Sequence, residues 1–156
     1  MQPFTTEVKD IENEPLTDSM EIWHLLSRVF HNGKRRLEQE LEKLGVKPME
    51  IRVLYSISQD RETTMNSLAS QNDVTGPWIT GLVDELEEKG YVTKARSTTD
   101  RRVVKVSITE KGSEILKRGI VVYNRLIDIA LKGLSETDLK EFTKILSSIE
   151  KSISEN

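Results

Sequence analysis

The sequence predicts a mainly α-helical chain with one small β-hairpin, in the order α-α-α-α-β-β-α-α. Three observations carry this reading. Apolar residues recur with a 3.6-residue rhythm as far as about residue 90. Between residues 91 and 108 the period drops to two and β-branched residues gather. Beyond residue 110 the apolar positions fall into heptad-like steps of three and four.

Residues 1–17 hold Pro3 and Pro15, show no periodicity, and read as a flexible leader. Asp18 and Glu21 then stand at capping-box spacing, with Asp where Ser or Thr is usual. Ile22, Leu25, Leu26, Val29, Phe30, Leu37, Leu41 and Leu44 form the stripe of a long first helix over 18–45, stopped by Gly45 in the C′ position. Pro48 suits the first turn of a second helix, which places Ile51, Leu54, Tyr55 and Ile57 or Ser58 inward and ends near Asp60. Thr63 or Thr64 caps a short third helix with Met65, Leu68 and Ala69 on its apolar face.

A turn at 71–74 leads to Thr75, the cap of a fourth helix whose first turn accommodates Pro77. Ile79, Leu82, Val83 and Leu86 make one buried stripe on it, and Lys89-Gly90 ends it. Residues 91–96 and 103–108 are the strands, joined by the polar segment 97–102. Thr109 caps the fifth helix, whose stripe is Leu116, Ile120, Tyr123, Ile127, Ala130 and Leu134. After a Ser135 cap, Leu139, Phe142, Leu146, Ile149 and Ile153 line the sixth. Such spacing suits helices packed on each other or on a second chain.

A chain of 156 residues is one domain, long enough to bury a core without a disulfide or metal. The absence of Cys removes thiol catalysis, thiolate metal sites and cysteine redox sensing together. His24 and His31 lie seven residues apart, about 10 Å along a helix, too far to share one metal. No residues pair a nucleophile with a base, so neither an enzyme nor a cofactor or metal is expected. No apolar run approaches the ~20 residues of a membrane span, and the acidic N-terminus does not read as a signal peptide. A cytoplasmic protein is the expectation.

The net charge of −3 hides local differences. Residues 1–18 carry one positive and five negative charges, whereas residues 94–105 hold Lys94, Arg96, Arg101, Arg102 and Lys105 against Asp100 alone. A short basic stretch in an acidic chain is where a polyanion docks, because local potential steers association. A solvated charged hairpin is the alternative.

Two short helices joined by a tight turn, followed by a basic hairpin, constitute a winged helix-turn-helix with its core at 48–112. Its second helix is the right width for the major groove of DNA. With the apolar stripe turned inward, Gly76, Pro77, Trp78, Thr80 and Gly81 are left outward on that helix. The N–H groups of its first turn, around Thr75, are free for a phosphate. Thr64, at the start of the preceding helix, belongs to the same surface. Trp78 either meets thymine methyls and sugar or closes a local cluster. Arg101 and Arg102 stand at the tip of the wing, where a guanidinium reaches the minor groove or a phosphate. Asp100 holds the tip by accepting from loop amides or from Arg102, and a purely structural Asp–Arg pair is the alternative for Arg102.

These residues carry a resemblance. The strings Leu82-Val83-Asp84-Glu85-Leu86-Glu87-Glu88-Lys89-Gly90-Tyr91-Val92, Asp100-Arg101-Arg102 and Ser107-Ile108-Thr109-Glu110-Lys111-Gly112 make the chain similar to the MarR (multiple-antibiotic-resistance type) family of regulators. The resemblance covers about residues 18–154, a single domain with dimerisation helices at 18–45 and 110–154. It implies a homodimeric transcriptional regulator, usually a repressor, bound to a pseudo-palindromic operator in double-stranded DNA. It also implies release by a small anionic or phenolic effector where the dimerisation helices meet the DNA-binding lobe. Arg28, His31 and Tyr123 are the candidates for that effector, with surface or packing roles as the alternative. Positions 81 and 85, often basic in such regulators, are Gly81 and Glu85 here, which shifts the expected readout toward DNA shape and the wing. A winged helix that binds protein instead of DNA is the competing reading, favoured by Asp84, Glu85, Glu87 and Glu88.

Overall fold

The computed structural model describes residues 18–60, 62–98, 100 and 102–155. The leader expected at 1–17 and the wing residue Arg101 lie outside the described residues. Among the described residues six helices follow one another: α1 (Asp18–Glu42), α2 (Pro48–Gln59), α3 (Met65–Gln71), α4 (Gly76–Glu88), α5 (Glu110–Ala130) and α6 (Glu136–Ser154). Three strands are threaded among them: β1 (Thr63–Thr64), β2 (Val92–Arg96) and β3 (Val104–Ile108). The sheet is antiparallel in the order β1-β3-β2, and Val106 is paired with Thr63 on one side and Lys94 on the other.

The expected order therefore missed β1. Two residues are too few to display alternation, and their pairing to β3 crosses some forty positions of chain. Thr64 nevertheless caps α3 as expected, its Oγ1 accepting from the Ser67 N–H at 3.2 Å. Thr75 stands at the N-cap of α4, but its side chain makes no capping bond. Asp18 is already a helical residue of α1, so it serves with Glu21 as a first-turn acid and not as the cap. Gly45 takes the left-handed φ of +72° that its stop signal required, after a short turn beyond Glu42.

The core is built where α2, α3, α4 and the sheet converge. Val53, Leu54, Ile57, Leu68, Ile79, Val83, Leu86 and Val106 are all fully buried there, joined by Leu41 from the end of α1. The α4 stripe is buried as its spacing required. On α2, Ile51, Leu54 and Ile57 are buried as expected, but Glu50 and Val53 join them and Tyr55 is exposed. On α5, Leu134 falls beyond the helix end at Ala130. The α1 stripe differs most, because Leu41 alone of its members is buried, and Ile22, Val29 and Phe30 are exposed. No residue of α6 is buried. None of the described helices is long and apolar enough to cross a membrane.

The junction of the sheet with α5 explains the Ile-Thr-x-x-Gly string. Thr109 Oγ1 accepts from the Gly112 N–H at 3.0 Å and donates to the Gly90 carbonyl at 2.7 Å, while the Thr109 N–H donates to the Tyr91 carbonyl at 3.0 Å. That brings the first turn of α5 so close to Tyr91 that a Cβ on Gly112 would lie 2.0 Å from its carbonyl oxygen. Backbone cannot yield to this as a flexible side chain can. Gly112→Ala is expected to destabilise the fold by about 1–3 kcal/mol, measured by urea denaturation. A wild-type midpoint would refute the close approach.

Candidate nucleic-acid interface

α4 and the hairpin β2–β3 lie side by side, and their outer surfaces form the candidate site. Burial of Ile79, Leu82, Val83 and Leu86 turns the opposite face of α4 outward. Gly76, Pro77, Trp78, Thr80 and Gly81 are accordingly all exposed, with Trp78 at 44%. Thr80 Oγ1 is spent on the Gly76 carbonyl at 2.9 Å, so this residue offers its methyl group outward more than its hydroxyl. Because Thr75 makes no side-chain cap, the first-turn N–H groups of α4 remain available to an outside acceptor. The hydroxyl of Thr64 is committed to its own cap.

Strand geometry divides the basic residues of the wing. Successive side chains of a strand point to opposite faces, so Val92, Lys94 and Arg96 share one face of β2. Val92 is buried, and Lys94 follows it inward against α4. Its ammonium lies 2.5 Å from Asp84 Oδ1 and 2.8 Å from Glu87 Oε2, and its N–H donates to Glu87 Oε1 at 3.1 Å. Lys94, grouped by sequence with the free cations of the wing, is thus a strut between β2 and α4. Lys105, opposite Ala95, belongs to the other face and pairs with Glu62 at 2.6 Å. Arg96 is exposed and makes no ion pair among the described residues.

The wing tip is organised by Asp100. Its Oδ1 accepts the Arg102 N–H at 2.9 Å, its carbonyl accepts the Val103 N–H at 3.0 Å, and its own N–H donates to Ser97 Oγ at 3.4 Å. The turn is closed by Ser97 N–H donating to the Val103 carbonyl at 2.9 Å. Asp100 therefore does the structural work expected of it, through the backbone of Arg102. The guanidinium of Arg102 is left exposed, without an ion pair among the described residues.

The acids that favoured a protein-binding reading are largely answered within the fold. Asp84 and Glu87 hold Lys94, and Glu85 lies 3.5 Å from Lys47. Lys94 has its pKa raised, first by the hydrogen bond to Asp84 and then by that to Glu87. A cation whose folded pKa is raised stabilises fully below the ordinary lysine range near pH 10.4 and loses that contribution as pH rises through the folded value. Lys94→Met should therefore cost up to about 1 kcal/mol at pH 7, the gap to wild type closing in strongly alkaline urea melts. A gap independent of pH would assign the loss to packing.

A separate cavity of about 680 Å³ opens between α1, the α1–α2 turn and α5. Lys34, Lys47, Arg52 and Lys89 bring positive charge to it, Glu38 and Glu42 negative charge, and Val46, Met49 and Tyr123 apolar surface. Tyr123, half buried, has its pKa raised by burial against the opposing pull of Arg52, so it remains a hydroxyl donor at neutral pH. Arg28 and His31, expected beside it, do not line the cavity. They sit roughly 9 and 4.5 Å before Lys34 along α1. Arg52 and Lys34 take the place expected of them. Neither had a sequence signal beyond being cations, because the cavity joins segments far apart in the chain.

Comparison with known proteins agrees with this geometry. The family model described as transcriptional regulator SarA/Rot matches residues 35–118, more than half of the chain. The HTH-type transcriptional regulator MhqR of Bacillus subtilis (strain 168) is 28% identical over 131 residues, covering 84% of this chain and 90% of that protein. The crystal structure of AbsC, a MarR family transcriptional regulator from Streptomyces coelicolor, superposes with a TM-score of 0.77 at 20% identity, covering 92% of this chain and 100% of AbsC. Streptococcus pneumoniae FabT, solved in complex with DNA, gives 0.78 at 24% identity, covering 88% of this chain and 99% of FabT. These relatives are regulators, not enzymes. The chain belongs to the SarA/Rot family of transcriptional regulators and carries the winged-helix fold of the MarR type.

Proposed function

We propose that the protein is a cytoplasmic, homodimeric DNA-binding repressor that recognises a pseudo-palindromic operator. The exposed N-terminal half of α4 beside a wing whose exposed Arg102 makes no ion pair among the described residues is the observation that carries this reading. α4 is the recognition helix, entering the major groove with Trp78 and the methyl of Thr80 against base and sugar edges. Its open N–H groups take a phosphate. Arg102, with Arg96 behind it, serves the minor groove or backbone. Gly81 and Glu85 supply no bidentate base reader, so discrimination rests on apolar contact and DNA shape. FabT, similar in fold, was solved in complex with DNA, which supports DNA as the partner.

Dimerisation has its own support. Ile22, Trp23, Leu25, Val29 and Phe30 on α1 and Phe142, Ile145, Leu146 and Ile153 on α6 are exposed. Each would gain roughly 1.5–3 kcal/mol from full burial, and exposed apolar faces on two helices are what an interface covers. A second copy places two α4 helices about one helical turn of DNA apart. Occlusion of a promoter needs no further contact.

Arg102→Ala is expected to weaken duplex binding several-fold in anisotropy titrations and to reduce the salt slope by about one, with an unchanged fold. Sedimentation should give twice the mass of one chain. A monomer, or an Arg102 variant with unaltered affinity, would remove the dimer or the wing from the mechanism.

The 680 Å³ cavity is the place proposed for an effector, a small aromatic anion or phenol held by Arg52, Lys34 and the Tyr123 hydroxyl. 4-Hydroxybenzoate, which bears both groups, is expected to raise the melting temperature of the free protein through mass action and to do so less in Arg52→Ala. An equal shift in both would place the ligand elsewhere.

A further inference from the structure

The far end of α4 is anchored by a charge pair that neither DNA contact nor dimerisation uses. Glu50, in the first turn of α2, has no solvent exposure. Its Oε2 accepts the Lys47 N–H at 2.7 Å and its Oε1 holds the Lys89 ammonium at 2.6 Å. Lys47 has no acceptor on its side chain, so only this half of a capping box exists. Lys89 is the C-cap residue of α4. Its Nζ also donates to the Gly45 carbonyl at 3.3 Å, and its own carbonyl accepts from Lys111 Nζ at 2.7 Å. A single residue thus joins the α1–α2 turn, the start of α2, the end of α4 and the start of α5.

Stability does not explain such a pair. Removing the Glu50 carboxylate from water is costly, and apolar replacements of a buried pair are often as stable. What the pair adds is direction, which apolar burial lacks. α4 has 13 residues, about 20 Å of helix. A tilt of about 5° about its C-terminal end displaces its first turn by on the order of 1.5 Å, enough to break a hydrogen bond at a base edge or phosphate.

We infer that Glu50 and Lys89 are positioning residues for DNA recognition: they fix the angle at which α4 presents its exposed N-terminal half, and so set sequence discrimination without touching DNA. The inference rests on the DNA-binding reading above. It is tested with the full chain by anisotropy titrations against a selected preferred duplex and a random duplex, at temperatures where thermal melts show each variant folded.

Lys89→Met is expected to lower the melting temperature and to reduce the ratio of preferred to random affinity on the order of tenfold. Its salt slope should match wild type, because no phosphate contact is lost. The double variant Glu50→Gln with Lys89→Met leaves no unpaired buried charge, so it should regain the melting temperature yet keep the reduced ratio. This variant carries the test if Lys89→Met alone does not fold. Lys89→Arg, which retains the charge, should recover most of the ratio. A double variant with the wild-type ratio would show that the pair only stabilises, and overturn the inference. So would a salt slope lowered by about one in Lys89→Met, which would make Lys89 a phosphate contact. A wild type that binds neither duplex refutes the DNA-binding reading, and the positioning role falls with it. Wild-type discrimination that survives in every variant refutes the positioning role alone.

Discussion

A carboxylate that water cannot reach must be answered by protein groups, and the arrangement around Glu50 follows from that requirement. Its two oxygens are met by a backbone N–H of the α1–α2 turn and by the ammonium that closes α4. Neither partner can move far without leaving a buried charge exposed to a low dielectric. The turn, the two helix ends and the start of α5 are therefore located relative to one another by bonds of fixed length. Val46, Lys47 and Lys89 also form part of the wall of the large cavity, so the cavity and α4 share a side chain and not just a neighbourhood. That contact is a physical route by which occupancy of one could bias the other.

The wing shows how a strand distributes charge. Five basic residues within twelve positions suggest a uniform basic surface, yet alternation along β2 and β3 sends Lys94 and Lys105 to opposite faces. Lys94 is drawn inward by the same parity that buries Val92, and there it offsets part of the charge of two acids of α4. Asp84 and Glu87 are thus part of the device that holds the wing against α4. The Asp100 carboxylate is engaged by the backbone N–H of Arg102, which leaves the Arg102 guanidinium outward.

The described domain divides into a part that closes on itself and a part that does not. α2, α3, α4 and the sheet bury their apolar faces within one chain. The first half of α1 and all of α6 keep strong apolar periodicity and bury almost none of it. Periodicity reports that a face will be covered; it carries no information on which surface covers it. In the proposed regulator a second copy does so.

By itself the sequence determined the six helices, the caps at Thr109 and Ser135, the buried stripe of α4 and its exposed counterpart, and the paired strands of the wing. All of these are local, set by spacing and by residues a few positions apart. Tertiary structure decided what depends on distant segments. β1 exists only because β3 passes beside Thr63 and Thr64, and Lys94 is a strut only because α4 presents Asp84 and Glu87 to it. The cavity gathers Arg52 and Lys34 with Tyr123 and passes over Arg28 and His31, and Glu50 finds Lys89 thirty-nine residues away. Charge and hydrogen bonding act over a few ångströms of space, and one chain read in order contains the partners but not their separation.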